Sequence, residues 1–188
     1  MAQSIRSAPL PSFYNNEDVR SVSKILFYGS RGLGARETMS KVRISAKAII
    51  IQDGHLLVIR NRDSSGDWYT LPGGGQERGE TLTAALNREC LEEIGSGVTV
   101  GRIRFVRDYI AKNHEFAAED DSHQVEVMFE CQLTSAPGLG AKPDSMQTGV
   151  EWLELMDLSN HRLYPKALQR LLSGDAPVDG PLYLGDVN

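Results

Sequence analysis

Cysteine is nearly absent: Cys90 and Cys131 are the two among 188 residues. Their number and spacing exclude a disulfide framework and a cysteine-rich zinc site, so both read as buried thiols in a reducing compartment. Long apolar runs are missing as well. No stretch approaches the roughly 20 residues of a membrane helix, and no membrane partner is expected. Met1 to Ser12 lack the continuous apolar segment of a secretory signal, which places the expected location in the cytoplasm. Positive charge is not in excess; 20 Lys+Arg against 25 Asp+Glu leave a formal net charge of -5. A protein that grips a nucleic-acid backbone needs a basic face, so no nucleic-acid partner is expected. A small anionic ligand stays open, because bound cations can make a local site positive. A serine-nucleophile motif of the G-x-S-x-G kind is also lacking, which removes that route to covalent catalysis.

What is present divides the chain unevenly. Residues 1–40 are rich in Ser, Gly, Asn and Pro and read as an N-terminal extension, flexible or with a short helix. The helical candidate follows Asn15-Asn16, where Val19, Val22, Ile25 and Leu26 keep helical spacing. Gly29-Ser30-Arg31-Gly32-Leu33-Gly34 lacks the spacing of a phosphate loop and reads as a connector. Residues 41–174 carry the strong signals, and 175–188 are left as a C-terminal tail. Val42 to Gln52 predicts a strand, Asp53-Gly54 a hairpin turn, and His55 to Arg60 the returning strand. Leu71-Pro72-Gly73-Gly74-Gly75 must be a loop. Leu82 to Ile94 predicts a helix stopped by Gly95. Further strands are expected near Val98–Ile110, Val125–Leu133 and Val150–Leu155, with an acidic loop from Glu115 to Asp121 and a Pro/Gly-rich loop from Pro137 to Gly149. Pro165 opens a closing helix that runs to about Leu172. This order of elements predicts an α/β fold, a mixed β-sheet with helices packed against it.

The helix Leu82–Ile94 carries the anomaly. At about 100° per residue, Leu82, Ala85 and Leu86 define an apolar stripe, and Glu89 and Glu93 project within about 20° of its centre. A carboxylate on a core-facing line must be paired or bind a cation. Glu89, Glu92 and Glu93 also stand at i, i+3 and i+4, close enough for like charges to repel. Glu92 and Glu93 lie in the last turn, where the helix dipole disfavours anions. All three penalties point to a multivalent cation, and an oxygen-only donor set suits Mg²⁺ or Mn²⁺ better than zinc. A solvated acidic face is the alternative, and it stays open for Glu92. Upstream, the glycines of Pro72–Gly75 let backbone approach a ligand without Cβ obstruction.

Read as one string, Gly74, Glu80, Arg88-Glu89, Glu92-Glu93 and Gly95 resemble the Nudix box G-x5-E-x7-R-E-U-x-E-E-x-G-U, where U is a bulky aliphatic residue. Seven fixed letters at fixed spacing arise by chance on the order of 10⁻⁹ per start, taking each residue type as about one in twenty. Cys90 stands at the first U position, and Ser96 departs from the last, where Val98 is expected to supply the packing. The resemblance covers roughly Lys41 to Leu172 and implies a Nudix-type α/β/α sandwich. It also implies a metal-dependent hydrolase that cleaves the diphosphate linkage of a nucleoside diphosphate derivative. ADP-ribose, nucleotide-sugar and nucleoside triphosphate substrates all present that linkage.

By the same resemblance Glu89 and Glu93 are the chief metal ligands, Glu92 assists, and the Gly73 carbonyl completes the shell. Glu89 is the first choice of catalytic base with Glu92 beside it, while Glu80 and Arg88 brace the loop against the helix. Acidic residues outside the box, Glu126, Glu130, Asp144 and Glu151, are further candidates for the base. For the substrate, Arg60 and Tyr69 near the first hairpin and Gly74 in the loop are the chosen contacts, with Lys47 and Arg62 as further basic candidates. Trp68 and Trp152 are expected to pack in the core, and His114 and His123 read as ordinary loop histidines. No proline stands near position 111, where many ADP-ribose-cleaving relatives place one. Specificity is expected in loops 61–70, 111–123 and 136–149. A domain that binds a nucleotide without cleaving it is the rival reading, and a homodimer stays open.

Overall fold

The computed structural model describes residues 42–114, 122–174 and 182–188. The helix expected near residues 19–26 and the acidic loop 115–121 lie outside them. Among the described residues eight strands and two α-helices follow in the order β1 (Arg43–Gln52), β2 (His55–Asp63), β3 (Gly66–Thr70), α1 (Leu82–Ile94), β4 (Val98–Ile110), β5 (His123–Leu133), β6 (Gln147–Glu154), β7 (Leu163–Tyr164), α2 (Ala167–Leu172) and β8 (Tyr183–Asp186). The strands form a mixed sheet ordered β7-β3-β2-β1-β5-β4-β8, with β6 pairing to β2. The α/β sandwich expected from the element order is what the chain adopts.

Asp53-Gly54 turns the β1–β2 hairpin, and both residues take the positive φ that such a turn requires. The hairpin pairs only at its closed end, through Ile51 with Leu56 and Gln52 with His55. Beyond that point the strands part. β1 runs parallel to β5 from Arg43–Gln124 to Ile50–Cys131, whereas β2 pairs with β3 and β6. The side-chain alternation of β1 and β2 then feeds two cores. Ala46, Ala48, Ile50, Leu57 and Ile59 face Leu86, Cys90 and Ile94 of α1. Ile49, Leu56 and Val58 join Leu158, Leu163 and Leu168 on the opposite side. Trp152 packs against the first of these cores. Both cysteines are free and buried. Among the described residues no helix is long and apolar enough to cross a membrane.

Helix α1 has the bounds that its periodicity predicts. The Thr81 side chain caps its first turn by accepting the Ala84 N–H at 3.2 Å, and Gly95 ends it at φ 62 in the left-handed region. Its last carbonyls are not left to water. The 136–149 segment supplies N–H groups of Gly138, Gly140 and Lys142 to the carbonyls of Ile94, Glu93 and Glu92 at 2.9–3.0 Å. Gln147 Nε2 adds a second donor to the Glu93 carbonyl at 2.8 Å. This loop therefore caps the C-terminus of α1, and its glycine content has a steric reason. A Cβ on Gly140 would stand 2.1 Å from the Glu92 carbonyl oxygen. At the departure from the box, Ser96 is fully buried and joins the helix exit to the end of β5, accepting the Ser135 N–H at 3.1 Å. Val98 is buried in the core beside it, in the packing role expected for it.

Three readings are corrected. Residues 61–70 are not a loop: β2 continues to Asp63 and β3 occupies Gly66–Thr70. The 175–188 stretch is more than a tail, since Tyr183–Asp186 pairs parallel to β4. That strand is fixed by Asp186, whose carboxylate accepts from the Ile110 N–H and from Asn113 Nδ2 and faces His114 Nε2 at 2.7 Å. The closing helix starts at Ala167 rather than at Pro165.

The capping role gives a paired test. Gly140→Ala is expected to destabilise by on the order of 2 kcal/mol, because backbone must move and buried hydrogen bonds are lost. That corresponds to a melting temperature about 4–8 °C lower. Gly138→Ala, where a Cβ meets nothing within 4 Å, should melt with the parent. Equal melting of both variants would remove the capping account.

Candidate active site

The glycine loop lies along the edge of β1 that β2 abandons. Ala46 N donates to the Gly74 carbonyl at 3.0 Å, Ala48 N to the Pro72 carbonyl at 2.8 Å, and Gln76 N to the Ile44 carbonyl at 2.9 Å. So close an approach demands glycine at Gly73. Its φ is 116, and an added Cβ would stand 2.2 Å from the Ala46 carbonyl oxygen. Gly74 is required by its other neighbour, because a Cβ there would lie 2.5 Å from Glu89 Cδ.

From the other side, α1 brings two carboxylates to this backbone. Glu93 Oε2 accepts the Gly73 N–H at 2.8 Å. Glu93 is only 6% exposed, and burial pushes its carboxyl up to about 7 against the pull of Lys47 and the Gly73 N–H. Glu89 sits one turn earlier with Oε1 held by Arg88 Nη1 at 2.7 Å. Arg88 organises the rest of the loop: Nε and Nη2 grip both Glu80 oxygens at 2.8 and 3.0 Å, and Nη2 also donates to the Gly75 carbonyl at 3.0 Å. That grip holds the Glu80 carboxyl down at about 2. Lys47, from β1, donates its ammonium to the Gly73 carbonyl.

The candidate residues separate into groups. Gly73, Gly74, Glu80, Arg88, Glu89 and Glu93 come together. Glu92 does not join them; its Oε1 stands 3.5 Å from Lys142 Nζ, on the side of the capping loop. Among the described residues no three His, Cys, Asp or Glu side chains form a ready cation cage. The convergent donors are two carboxylates and one carbonyl, all oxygen, and one carboxylate is buried at a cost that Lys47 and the Gly73 N–H do not fully offset. Such a set fits a hard divalent ion that keeps water in its remaining positions. Of the acidic candidates outside the box, Asp144 acts electrostatically on Glu93. Glu126 is buried against Arg107 at 2.6 Å, Glu130 is paired with Arg102 at 2.8 Å, and Glu151 with Arg60 at 3.1 Å.

Arg60 and Tyr69 oppose each other across β2 and β3. Arg60 is engaged by Glu151 and Thr148, and Tyr69 meets His161 edge to face at 5.5 Å between ring centroids. Arg62 is bound to Asp67 at 2.6 Å. Trp68 stands edge to face with Tyr164 at 6.1 Å. Lys47, Thr70, Leu71, Arg107, Glu126, Tyr164 and Pro165 line a small cavity of about 70 Å³. Arg107 and Tyr164 there escaped sequence reasoning, because only the β4–β5 register and the chain's return at β7 bring them beside Lys47. A buried arginine in a strand was the one available signal. Cys90 is not a nucleophile, since burial pushes its thiol up to about 12.

Comparison with known proteins agrees with this geometry. The NUDIX domain family model matches residues 41–172. A nucleoside triphosphatase, NudI, from Salmonella agona (strain SL483) is 29% identical over 89 residues, covering 44% of this chain and 63% of the relative. The chain thus spans less than two thirds of the length of that relative. The structure of a MutT Nudix hydrolase from Burkholderia pseudomallei is 27% identical with a TM-score of 0.50, covering 61% of this chain and 84% of that one. An ADP-ribose pyrophosphatase from Streptococcus suis 89-1591 shares the fold at 20% identity and a TM-score of 0.55, covering 78% of this chain and all 100% of its own. With the box residues gathered on one loop and one helix, and a family match over most of its length, the chain belongs to the Nudix family.

Proposed function

We propose that the protein is a metal-dependent hydrolase that cleaves the phosphoric anhydride linkage of a nucleoside diphosphate derivative or nucleoside triphosphate. The observation that carries this reading is the convergence of Glu89 and Glu93 on the Gly73-Gly74 backbone. Glu89, Glu93 and the Gly73 carbonyl are the groups that would hold Mg²⁺ or Mn²⁺. A bound divalent ion neutralises phosphate charge and acidifies water. The chain's own residues supply position and proton transfer. Arg88 fixes Glu89 through its Oε1, which orients the carboxylate as the general base. Glu80 in turn holds Arg88 and keeps the loop backbone at its spacing from α1. Glu92, facing Lys142, is a secondary contributor. Arg60, Tyr69 and Gly74 are the proposed substrate contacts. The name of the NudI relative supports a nucleotide substrate.

Screening a nucleotide panel with Mg²⁺ and identifying both products tests this directly. A nucleoside diphosphate-X substrate should give a nucleoside monophosphate and X-phosphate. Release of free orthophosphate alone would contradict attack at an internal linkage. Glu89→Gln and Glu93→Gln should each lower kcat by on the order of 10²–10⁴, the range for losing a general base or a comparable electrostatic contact. Glu92→Gln should cost less. Intact turnover in Glu93→Gln with nucleotide binding retained would favour the binding-only reading instead.

Glu93 also sets a pH dependence. Its folded value of about 7 stands above the ordinary 4.5. Between those limits the metal-free folded state retains a proton that the unfolded chain releases. Metal-free stability should therefore fall as pH rises through that window and level off above about 7. Metal binding requires the ionised carboxylate, so metal affinity should change oppositely and weaken below about 7. Melting the chelator-treated protein at several pH values checks the first trend. The slope should be absent in Glu93→Gln, and an identical slope there would refute the assignment.

A further inference from the structure

Lys47 is placed unlike the other basic candidates. Arg60 and Arg62 are committed to Glu151 and Asp67, whereas the ammonium of Lys47 donates to the carbonyl of Gly73. Its charge is also the largest attraction that favours the ionised form of Glu93. The same carbonyl and the same carboxylate are two of the three oxygen donors that a divalent ion would take. Along β1, Ala46 and Ala48 face α1, so alternation sends the Lys47 stem toward the opposite face. There it borders the cavity with Thr70, Tyr164 and the Arg107–Glu126 ion pair. A four-carbon stem with free rotors lets one ammonium serve both places.

We propose that Lys47 is an internal cation of the metal site: it occupies the Gly73 carbonyl when no divalent ion is bound, is displaced by the ion, and then turns into the adjacent cavity to hold a substrate phosphate. The inference rests on the proposed metal-dependent function and deepens it. It gives Lys47 two opposed effects. In the metal-free protein its charge partly neutralises Glu93 and keeps the glycine loop seated. Toward an incoming ion it is a competitor, because two positive charges held against one carbonyl repel each other in a partly buried site. Once released, it favours the anionic substrate. Metal and substrate binding are coupled as a result, since the ion frees the group that the phosphate uses.

The test is equilibrium binding of Mn²⁺ to the full chain without nucleotide, read from free Mn²⁺ by electron paramagnetic resonance. Lys47→Met, which keeps the length and removes the charge, should bind Mn²⁺ on the order of tenfold more tightly, as expected for removing one competing unit charge from a partly buried site. Its KM for the best nucleotide should rise at saturating metal. Lys47→Arg keeps a competing charge and should show no tightening. A residue that only shapes the loop would weaken both metal and substrate, so opposite shifts separate the two roles. Unchanged or weaker Mn²⁺ binding in Lys47→Met overturns the inference. Absence of Mn²⁺ binding in the parent would instead remove the metal-site reading beneath it. Amine labelling of the unsubstituted protein, read by mass spectrometry, covers the case of a variant that fails to fold. Adding Mg²⁺ should raise labelling of Lys47 and leave exposed Lys112 unchanged. Equal Lys47 labelling with and without bound metal would also overturn it.

Discussion

The hydrogen bond from Gly73 N–H to the buried Glu93 carboxylate is the contact through which the rest of the site is organised. A hydrogen bond to a charged group contributes about 1.5–3 kcal/mol, but its larger effect is geometric. It ties the helix that carries the acidic residues to a loop that is itself hydrogen-bonded along β1. The loop can lie there because β2 leaves β1 after two residue pairs. It can lie that close because Gly73 and Gly74 have no Cβ to meet the Ala46 carbonyl and the Glu89 carboxylate. Parting of the hairpin, glycine in the loop and glutamate on the helix are thus three parts of one arrangement.

The arrangement works against local preference. Glu93 is a buried carboxylate at the C-terminal end of a helix, where the dipole and desolvation both oppose its charge. The structure compensates in stages. The Gly73 N–H meets one oxygen. The 138–142 backbone and Gln147 satisfy the helix carbonyls around it. Lys47 supplies positive charge at the adjacent carbonyl. What compensation remains missing appears as a carboxyl raised to about 7. Residues held in a costly state and supported from several elements are where function is expected.

Helix α1 was legible from sequence because its signals are local: an apolar stripe at helical period, a Thr cap and a terminal glycine. Glu89 and Glu93 stood out for the same reason, as carboxylates in apolar phase. The misses have a common cause, which is non-local pairing. β3 is five residues of intermediate burial with Gly and Asp at its start, and pairing with β2 rather than propensity makes it a strand. β8 is fixed by Asp186 reaching Ile110, Asn113 and His114, partners more than seventy residues away. The 136–149 segment read as a specificity loop because its glycines resemble turn residues; their steric role at the end of α1 appears only when the chain is folded. Sequence put Arg60 ahead of Lys47 and Arg62, and the contact with Gly73 distinguishes Lys47.

Glu89 and Glu93 should hold a divalent ion against the glycine loop, and thermal melting with and without Mg²⁺ decides whether they do. At about one hundred times the dissociation constant the ion should stabilise the parent by ~2.7 kcal/mol. Glu89→Gln and Glu93→Gln should each lose most of that gain, while Glu119→Gln, in the acidic stretch outside the described residues, should keep it. Equal stabilisation of the parent and of both helix variants would contradict the claim, because the ion would then be held by other groups.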